Sequence, residues 1–532
     1  MGPKTYRPID LWTHGPIDLW THGPIDLLTK NRRSSQLPIE YLRGGQYKVL
    51  TDSELYDIHL ATLEILEEVG VRVEYPPALE LMADCGCRVD FSGRIVQIPE
   101  HVLKKALSTA PSFFTLYGKT PEFDVKVDTQ AIYTIGGSSA LFVLDLDGQH
   151  RPATKKDLAD LTRLQDALEN LHIMHAIVVP QDIEQEGFDR ILFSTVMKNT
   201  SRNYYSQGMG AQSIRDQVEM ASVILGSTEE VKRKPIFTIV VCLTSPLTQA
   251  RIRVEELMES AKYNIPLYIE ADAQAGATSP VTLAGTLVQQ NANILCGVVL
   301  AQMVNPGTPC IYSIASGIMD MSTGNYSGGS PEATLLHAAS SQVAHYYNLP
   351  FQGGTGIDAT IPDAQAGYER ALQVLGCALS GTNFIHLSIG MMEQMLLASY
   401  EQCVIDNEIL GAALHITRGI EVNRDTLAVD VIKAVGPGGH YLDREHTLRN
   451  FAEVNWFPKL TNRKKWDAWI DDGGKDMRRR ANELAREILK EHYPQHLPED
   501  VAREIDKMAL SAQKRAIESA KGYRIFGKDL RF

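Results

Sequence analysis

The amino-acid sequence predicts an α/β protein built on a (β/α)8 TIM barrel, with an N-terminal cap and a C-terminal helical extension. Three observations carry that expectation. Eight short apolar runs of strand length recur between residues 131 and 417, and each is followed by a stretch that is apolar at helical spacing. Several of these runs end in small or polar residues, which is where such a barrel keeps its site. The doubly wound open sheet shows the same alternation, but it opens on a glycine-rich dinucleotide turn that Gly136-Gly137 does not supply.

Residues 1–49 form an irregular N-terminal arm containing a tandem octapeptide, RPIDLWTH, GPIDLWTH and GPIDLLTK over residues 7–30. The repeat reads as a duplicated extension; the alternative is a partner-docking strip made by Trp12, Trp20 and Leu28. Residues 50–130 are expected to form a cap domain, opening with a helix over 50–69 that Thr51 and Glu54 start as a capping box. Small mixed structure follows, with a helix near 101–109.

The barrel is assigned to 131–417. Its strands are expected at 131–135, 171–179, 203–207, 235–243, 266–271, 308–316, 350–353 and 384–389. Its helices are expected at 155–168, 187–198, 213–225, 249–263, 281–303, 331–347, 363–379 and 392–416, with a hairpin through 145–148 inside the first unit. The 281–303 segment carries no charge and places Leu283, Leu287, Ile294, Val298 and Ala301 at helical spacing, so it should be buried on most sides. Asn305-Pro306-Gly307 stops it. The extension, 418–532, turns polar, with a helix over 478–491 and a solvated helical tail over 498–521. Gly436 to Gly439 read as a turn rather than an anion-binding loop.

Bulk composition narrows the partners. With 52 basic against 65 acidic side chains the chain carries a net charge of -13, which argues against nucleic acid or an anionic membrane. Seven cysteines, an odd number set mostly in apolar runs, fit reduced thiols in a cytoplasmic protein. Cys85 and Cys87 are too close in sequence for a usual zinc pair, and no second pair faces them. No membrane span is expected, because the long uncharged stretch from 273 to 319 is broken by polar residues, proline and glycine.

Candidate site residues are those at the C-terminal ends of the strands. Strand three ends in Tyr205 and Gln207, strand five in Tyr268, Glu270 and Asp272, and strand six in Tyr312 to Ser316. Strand seven ends in Phe351, Gln352 and Gly353, and strand eight in His386 and Ser388. Alternation puts Tyr268, Glu270 and Asp272 on one face. Two acids on an otherwise uncharged strand are costly unless used, although they could be hydrogen-bonded rim carboxylates. His386 could equally be a satisfied core histidine, and each aromatic a packing residue. His172 and His175, three apart on a strand, point to opposite faces and are discounted as a metal pair. No P-loop, nucleophile elbow, H-E-x-x-H or Cys/His metal set is found, and no residue is assigned as a catalytic acid, base or nucleophile. Aromatics with carboxylates suit an organic cation.

Blocks in order along the chain then resemble the trimethylamine methyltransferase superfamily: GQHRPATKKDL (148–158), SPL (245–247), GATSPVTLAGTLVQQ (276–290), NPGTP (305–309), DMSTGNYSGGSPE (320–332), PDAQAGYE (362–369), DNE (406–408) and GPGGHYLDREHT (436–447). The resemblance spans about 50–489. It implies a barrel enzyme that moves a methyl group from a methylated amine to the Co(I) corrinoid of a separate carrier protein, with no cofactor bound tightly by this chain. Trimethylamine-using relatives carry pyrrolysine, which this chain lacks, so it is similar to the branch acting on quaternary amines such as glycine betaine. On that reading Glu270 or Asp272 edges the pocket, Tyr205, Tyr312 and Phe351 form the cage, and Gln207, His386 and Ser388 orient the substrate. A homo-oligomer is expected, because helix 281–303 is so apolar and because the resemblance implies it. Two other readings stay open: a barrel lyase or isomerase using Glu270 and His386 as acid and base, and a non-catalytic protein that binds a betaine or a corrinoid partner.

Overall fold

In a parallel barrel each strand is covered by helices outside and by its neighbours' side chains inside, so apolar and small residues occupy both faces. The computed structural model of the protein describes residues 44–354, 356–494 and 497–525, so the octapeptide repeat lies outside the described residues. Eight parallel strands make the central sheet: β1 (Tyr133–Thr134), β2 (Met174–His175), β3 (Tyr204–Gln207), β4 (Phe237–Leu243), β5 (Leu267–Ala271), β6 (Cys310–Ile314), β7 (Phe351–Gly353) and β8 (Phe384–Ile385). Their order is β1-β8-β7-β6-β5-β4-β3-β2. The two ends of that order meet, since Ile135 bridges Ile173 in parallel and the Gly136 N–H donates to the Ile173 carbonyl at 3.2 Å. The ring is therefore closed.

The helices alternate with the strands as expected: α1 (Lys155–Asp166), α2 (Phe188–Asn199), α3 (Ala211–Leu225), α4 (Arg251–Lys262), α5 (Leu283–Val304), α6 (Pro331–Tyr346), α7 (Ala364–Ser380) and α8 (Tyr400–Thr417). Boundaries shift by a few residues, the strands mostly being shorter than their apolar runs, as in Met174–His175 against 171–179 and Phe384–Ile385 against 384–389, and one shift is larger. The eighth helix starts at Tyr400, not 392, because Glu393, Gln394 and Met395 all adopt positive φ (47°, 54° and 73°) and cannot continue a right-handed helix. Met391–Met392 and Leu397–Ser399 instead pair as strands, and Leu397–Ser399 also joins Phe142–Leu144, the first arm of the expected hairpin, to make a small sheet beside the barrel mouth.

Helix α5 explains its own lack of charge. Its inner side lies so close to β5 that a Cβ on Gly297 would sit 2.6 Å from Ile269. Its outer side is covered by the cap, whose first helix, Asp52–Glu64, has the expected capping box of Thr51 and Glu54. Asn291 of α5 donates to Thr62 of that helix at 2.9 Å. Among the described residues α5 is the one helix long and apolar enough to cross a membrane, and most of it is buried in protein on both sides. The cap is also sewn to the barrel by its sheet, in which Val71–Val73 pairs in parallel with Thr248–Gln249 from the β4–α4 loop.

The extension contains α9 (Val429–Val435), α10 (Glu445–Val454), α11 (Met477–Glu491) and α12 (Glu499–Ile525). The tail was expected to be solvated, and α12 is not. It packs on α2 and α3 through Ile505 and Ala509, both fully buried, and is tied there by Arg515 to Asp216 (2.9 Å) and Lys198 to Asp506 (2.5 Å). Its polar pattern concealed a narrow apolar stripe sufficient for one-sided packing.

Candidate active site

Strand register decides what the barrel interior contains. Cys242 of β4 lies opposite Glu270 of β5, which lies opposite Ser313 of β6, and Ser313 lies opposite Gln352 of β7. Side chains at matched positions in neighbouring parallel strands share a face, so these four form one layer inside the ring. Tyr205 of β3 joins them from across the barrel, its hydroxyl 3.3 Å from the Glu270 carboxylate and 3.1 Å from Gln352 Oε1. Ser313 Oγ donates toward Glu270 at 2.9 Å and is also bonded to Gln352 Oε1. The Cys242 thiol donates to Glu270 Oε1 at 3.5 Å.

Gln352 continues the network. Its Nε2 donates to His386 Nδ1 at 2.9 Å, which leaves the proton of that neutral imidazole on Nε2, and Nε2 then donates to His175 Nδ1 at 3.1 Å. The remaining nitrogen of His175, Nε2, is a buried donor without a partner among the described residues. Burial, with His337 adding to it, pushes the His386 imidazole down to about 3, and burial holds His175 well below its usual value. Both rings stay neutral near pH 7. Tyr205 packs against His175, Tyr268 and His386 with ring centroids 4.5, 4.4 and 4.8 Å apart, so the floor of the well is aromatic.

Acceptors outnumber donors in this layer. Tyr205 and Ser313 bring one hydroxyl proton each to a carboxylate and an amide oxygen that both lie within reach. Two residues up the same face, Asp272 accepts only the Ala315 N–H, at 3.1 Å. Asp272 is exposed to solvent, as expected of a group on the wall of an open well. Burial raises both carboxyls above the ordinary range, and Glu270 raises Asp272 further by repulsion. Among the described residues no lysine or arginine forms an ion pair with either; Arg253, the nearby cation, is engaged by Glu256 at 2.9 Å. The ligand atoms of Cys242, Glu270 and Asp272 lie within 4.8 Å of one another, so the trio could hold a proton, a metal ion or an organic cation.

Several residues read from the sequence lie elsewhere. Tyr312 and Phe351 face outward, 6.1 Å apart in the apolar layer between sheet and helices, and do not line the well. Ser316 latches β6 to its surroundings, its hydroxyl lying 3.0 Å from Ala271 O and 2.8 Å from Gln290 Oε1 with one proton to give between them. Ser388 bonds Ile135 O, and Gly353 leaves room for His337, whose ring a Cβ would meet at 2.7 Å. Gln207 is on the wall, half-buried and 3.4 Å from Ser139 Oγ. The structure brings together Tyr205, Gln207, Tyr268, Glu270, Asp272, Gln352 and His386, picks Ser313 out of the run from Tyr312 to Ser316, and adds Cys242 and His175. His172 and His175 do point to opposite faces and make no metal pair: His172 bonds Thr134, and His175 is the ring that faces the well.

Comparison with known proteins gives the family of the chain. A family profile described as trimethylamine methyltransferase (MTTB) matches residues 28–516. The chain belongs to the trimethylamine methyltransferase family. Within it, the chain is 34% identical over 446 residues to the glycine betaine methyltransferase of Desulfitobacterium hafniense (strain Y51), covering 84% of this chain and 92% of that protein. It is 34% identical over 482 residues to the trimethylamine methyltransferase MttB of Methanosarcina barkeri (strain Fusaro / DSM 804), covering 89% and 97%. The crystal structure of the Methanosarcina barkeri monomethylamine methyltransferase (MtmB) superposes with a TM-score of 0.47 at 13% identity, covering 85% of this chain and 96% of that one. Family membership did not identify Ser313 or His175 as inward-facing. Carrying the inward parity of Glu270 one strand along, to Ser313 instead of Tyr312, would have found the first.

Proposed function

We propose that this enzyme transfers a methyl group from a quaternary amine to the corrinoid of a separate carrier protein. The observation that carries the reading is the acceptor-rich well, in which two adjacent carboxyls have, among the described residues, no lysine or arginine as ion-pair partner, only the neutral His386 ring 4.0 Å from Glu270, above an aromatic floor. A quaternary nitrogen has no N–H to donate, so it is held by negative charge and ring faces rather than by hydrogen bonds.

When bound at the mouth, the corrinoid supplies a nucleophilic cobalt that accepts the methyl. The residues present fit such a visitor, because exposed Leu141, Met209 and Leu396 give the mouth an apolar rim and the well beneath is open to Asp272. The protein's own part is orientation and desolvation. Asp272 and Glu270 attract the cation, Tyr205 and Gln352 set the angle of Glu270, and Gln207 meets the part of the substrate nearest the wall. Transfer leaves a neutral amine, so tightly held anionic charge would oppose the step. Carboxyls whose titration is raised, as in this pair, bind the cation without holding it too firmly. The neutral leaving group needs no acid, and a His386 near 3 is a poor general base, which weighs against the lyase reading.

The test is to mix the full chain with Co(I) cobalamin, free or carrier-bound, and a panel of quaternary amines while following the cobalamin spectrum. Methylation with at least one of them is expected. Turnover of a carbonyl substrate without any corrinoid, or tight amine binding with no methyl-cobalamin formed, would replace this reading by one of its two competitors. On the same grounds the chain is proposed to work in the cytoplasm and as a homo-oligomer.

A further inference from the structure

The strongest unexplained surface is the stretch 418–459, which leaves α8 and returns to it. Not one of its 42 residues is buried. Eleven large apolar side chains there, Ile420, Val422, Leu442, Leu448 and Val454 among them, are each at least 45% exposed. The segment is nonetheless structured. It contains α9 and α10, Arg449 bonds Asp425 at 2.9 Å, and Phe451 meets Phe457 edge-on at 5.7 Å. Helices of 7 and 10 residues with no buried face do not persist alone in water. Something covers them.

Location and charge say what. Helix α8 begins at the barrel mouth, where Tyr400 donates to Asp157 in the first turn of α1. Its middle passes Asn170, in the loop that enters β2 at the opposite end of the barrel, where the Asn170 N–H and side-chain amide bond Asn407 at 3.0 and 2.9 Å, and the helix runs on beyond that end to Thr417. The arm therefore departs from the face away from the mouth, where a carrier presenting a corrinoid to the well has no reason to dock. Six basic and six acidic side chains make the arm neutral, so the whole net charge of -13 lies on the rest of the chain. Two copies of so acidic a protein meet with least repulsion through a neutral surface. At roughly 100 Å² for each side chain, the arm offers on the order of 1,000 Å² of apolar surface, enough for one side of a stable homodimer.

We propose that residues 418–459 form the main interface between copies of this chain, with α10 packing its Leu448, Phe451 and Val454 face on the partner copy. The inference rests on the proposed function only in taking the barrel mouth as the carrier's side, and its test does not involve methyl transfer.

Sedimentation equilibrium of the full chain is expected to give at least twice the 59.0 kDa protomer mass. The double substitution Leu448→Glu with Phe451→Glu is expected to weaken association at least 100-fold while circular dichroism loses no more than the helical signal of α9 and α10, since both side chains are exposed in the protomer. Hydrogen exchange on the unsubstituted chain supplies an answer that does not depend on the variant folding: amides of 429–454 should slow at least tenfold from nanomolar to tens of micromolar protein. A monomer at tens of micromolar, a folded variant that assembles as before, or an arm protected only when a corrinoid carrier is added would each overturn the proposal.

Discussion

Glu270 and Asp272 are the residues on which the chemistry turns, and their raised titration makes a signed prediction. A proton and a cationic substrate compete for the same pair. Quaternary-amine affinity, followed by calorimetry, should therefore rise as pH increases through the carboxyls' titration, by up to about tenfold per pH unit, and then level off. Glu270→Gln combined with Asp272→Asn should remove that pH dependence and weaken binding by at least tenfold. The two tyrosines separate inner from outer face. Tyr205→Phe takes a hydroxyl from Glu270 and Gln352, and kcat/KM should fall about tenfold with a stability loss near 1 kcal/mol. Tyr312→Phe removes a buried hydroxyl that has no partner among the described residues, so activity should hold and stability should stay within about 1 kcal/mol of the parent or rise. Neither difference was visible from residue type, since both are tyrosines at the ends of apolar runs.

Among the elements, the segment after β8 depends on one buried ion pair. Arg370 of α7 bonds Asp406 of α8 at 3.1 Å and also the carbonyls of Leu387 and Met391, both at 2.8 Å, while Asp406 accepts the Gly390 N–H at 2.7 Å. Both side chains are fully buried. Asp406→Ala would strand the guanidinium, at a cost of about 3–5 kcal/mol measurable by denaturant unfolding, and would loosen the strands at Met391–Met392 and Leu397–Ser399. Element existence and order were legible from the chain: every expected barrel strand and helix is present, and their starts shift mostly by a residue or a few. The exceptions have local causes. Three successive positive φ values turn the start of the expected eighth helix into a hairpin, and a thin apolar stripe docks a tail that looks solvated.

At the scale of the molecule, the cap exists to finish the burial of α5. Deleting residues 44–130 should expose a charge-free helix face to water, so the truncated protein is expected to aggregate in size-exclusion chromatography where the full chain does not. By itself the sequence determined the eight-fold alternation, the family, the burial of α5 and the acidic strand-five end, because each is written in periodicity, in motif blocks or in the cost of burying charge. Only the tertiary structure decided which face of each strand looks inward and which residues therefore meet. Strands buried on both sides carry no polar alternation to mark their inner face, and Ser313, Cys242 and His175 became site residues through register with neighbours that are distant along the chain.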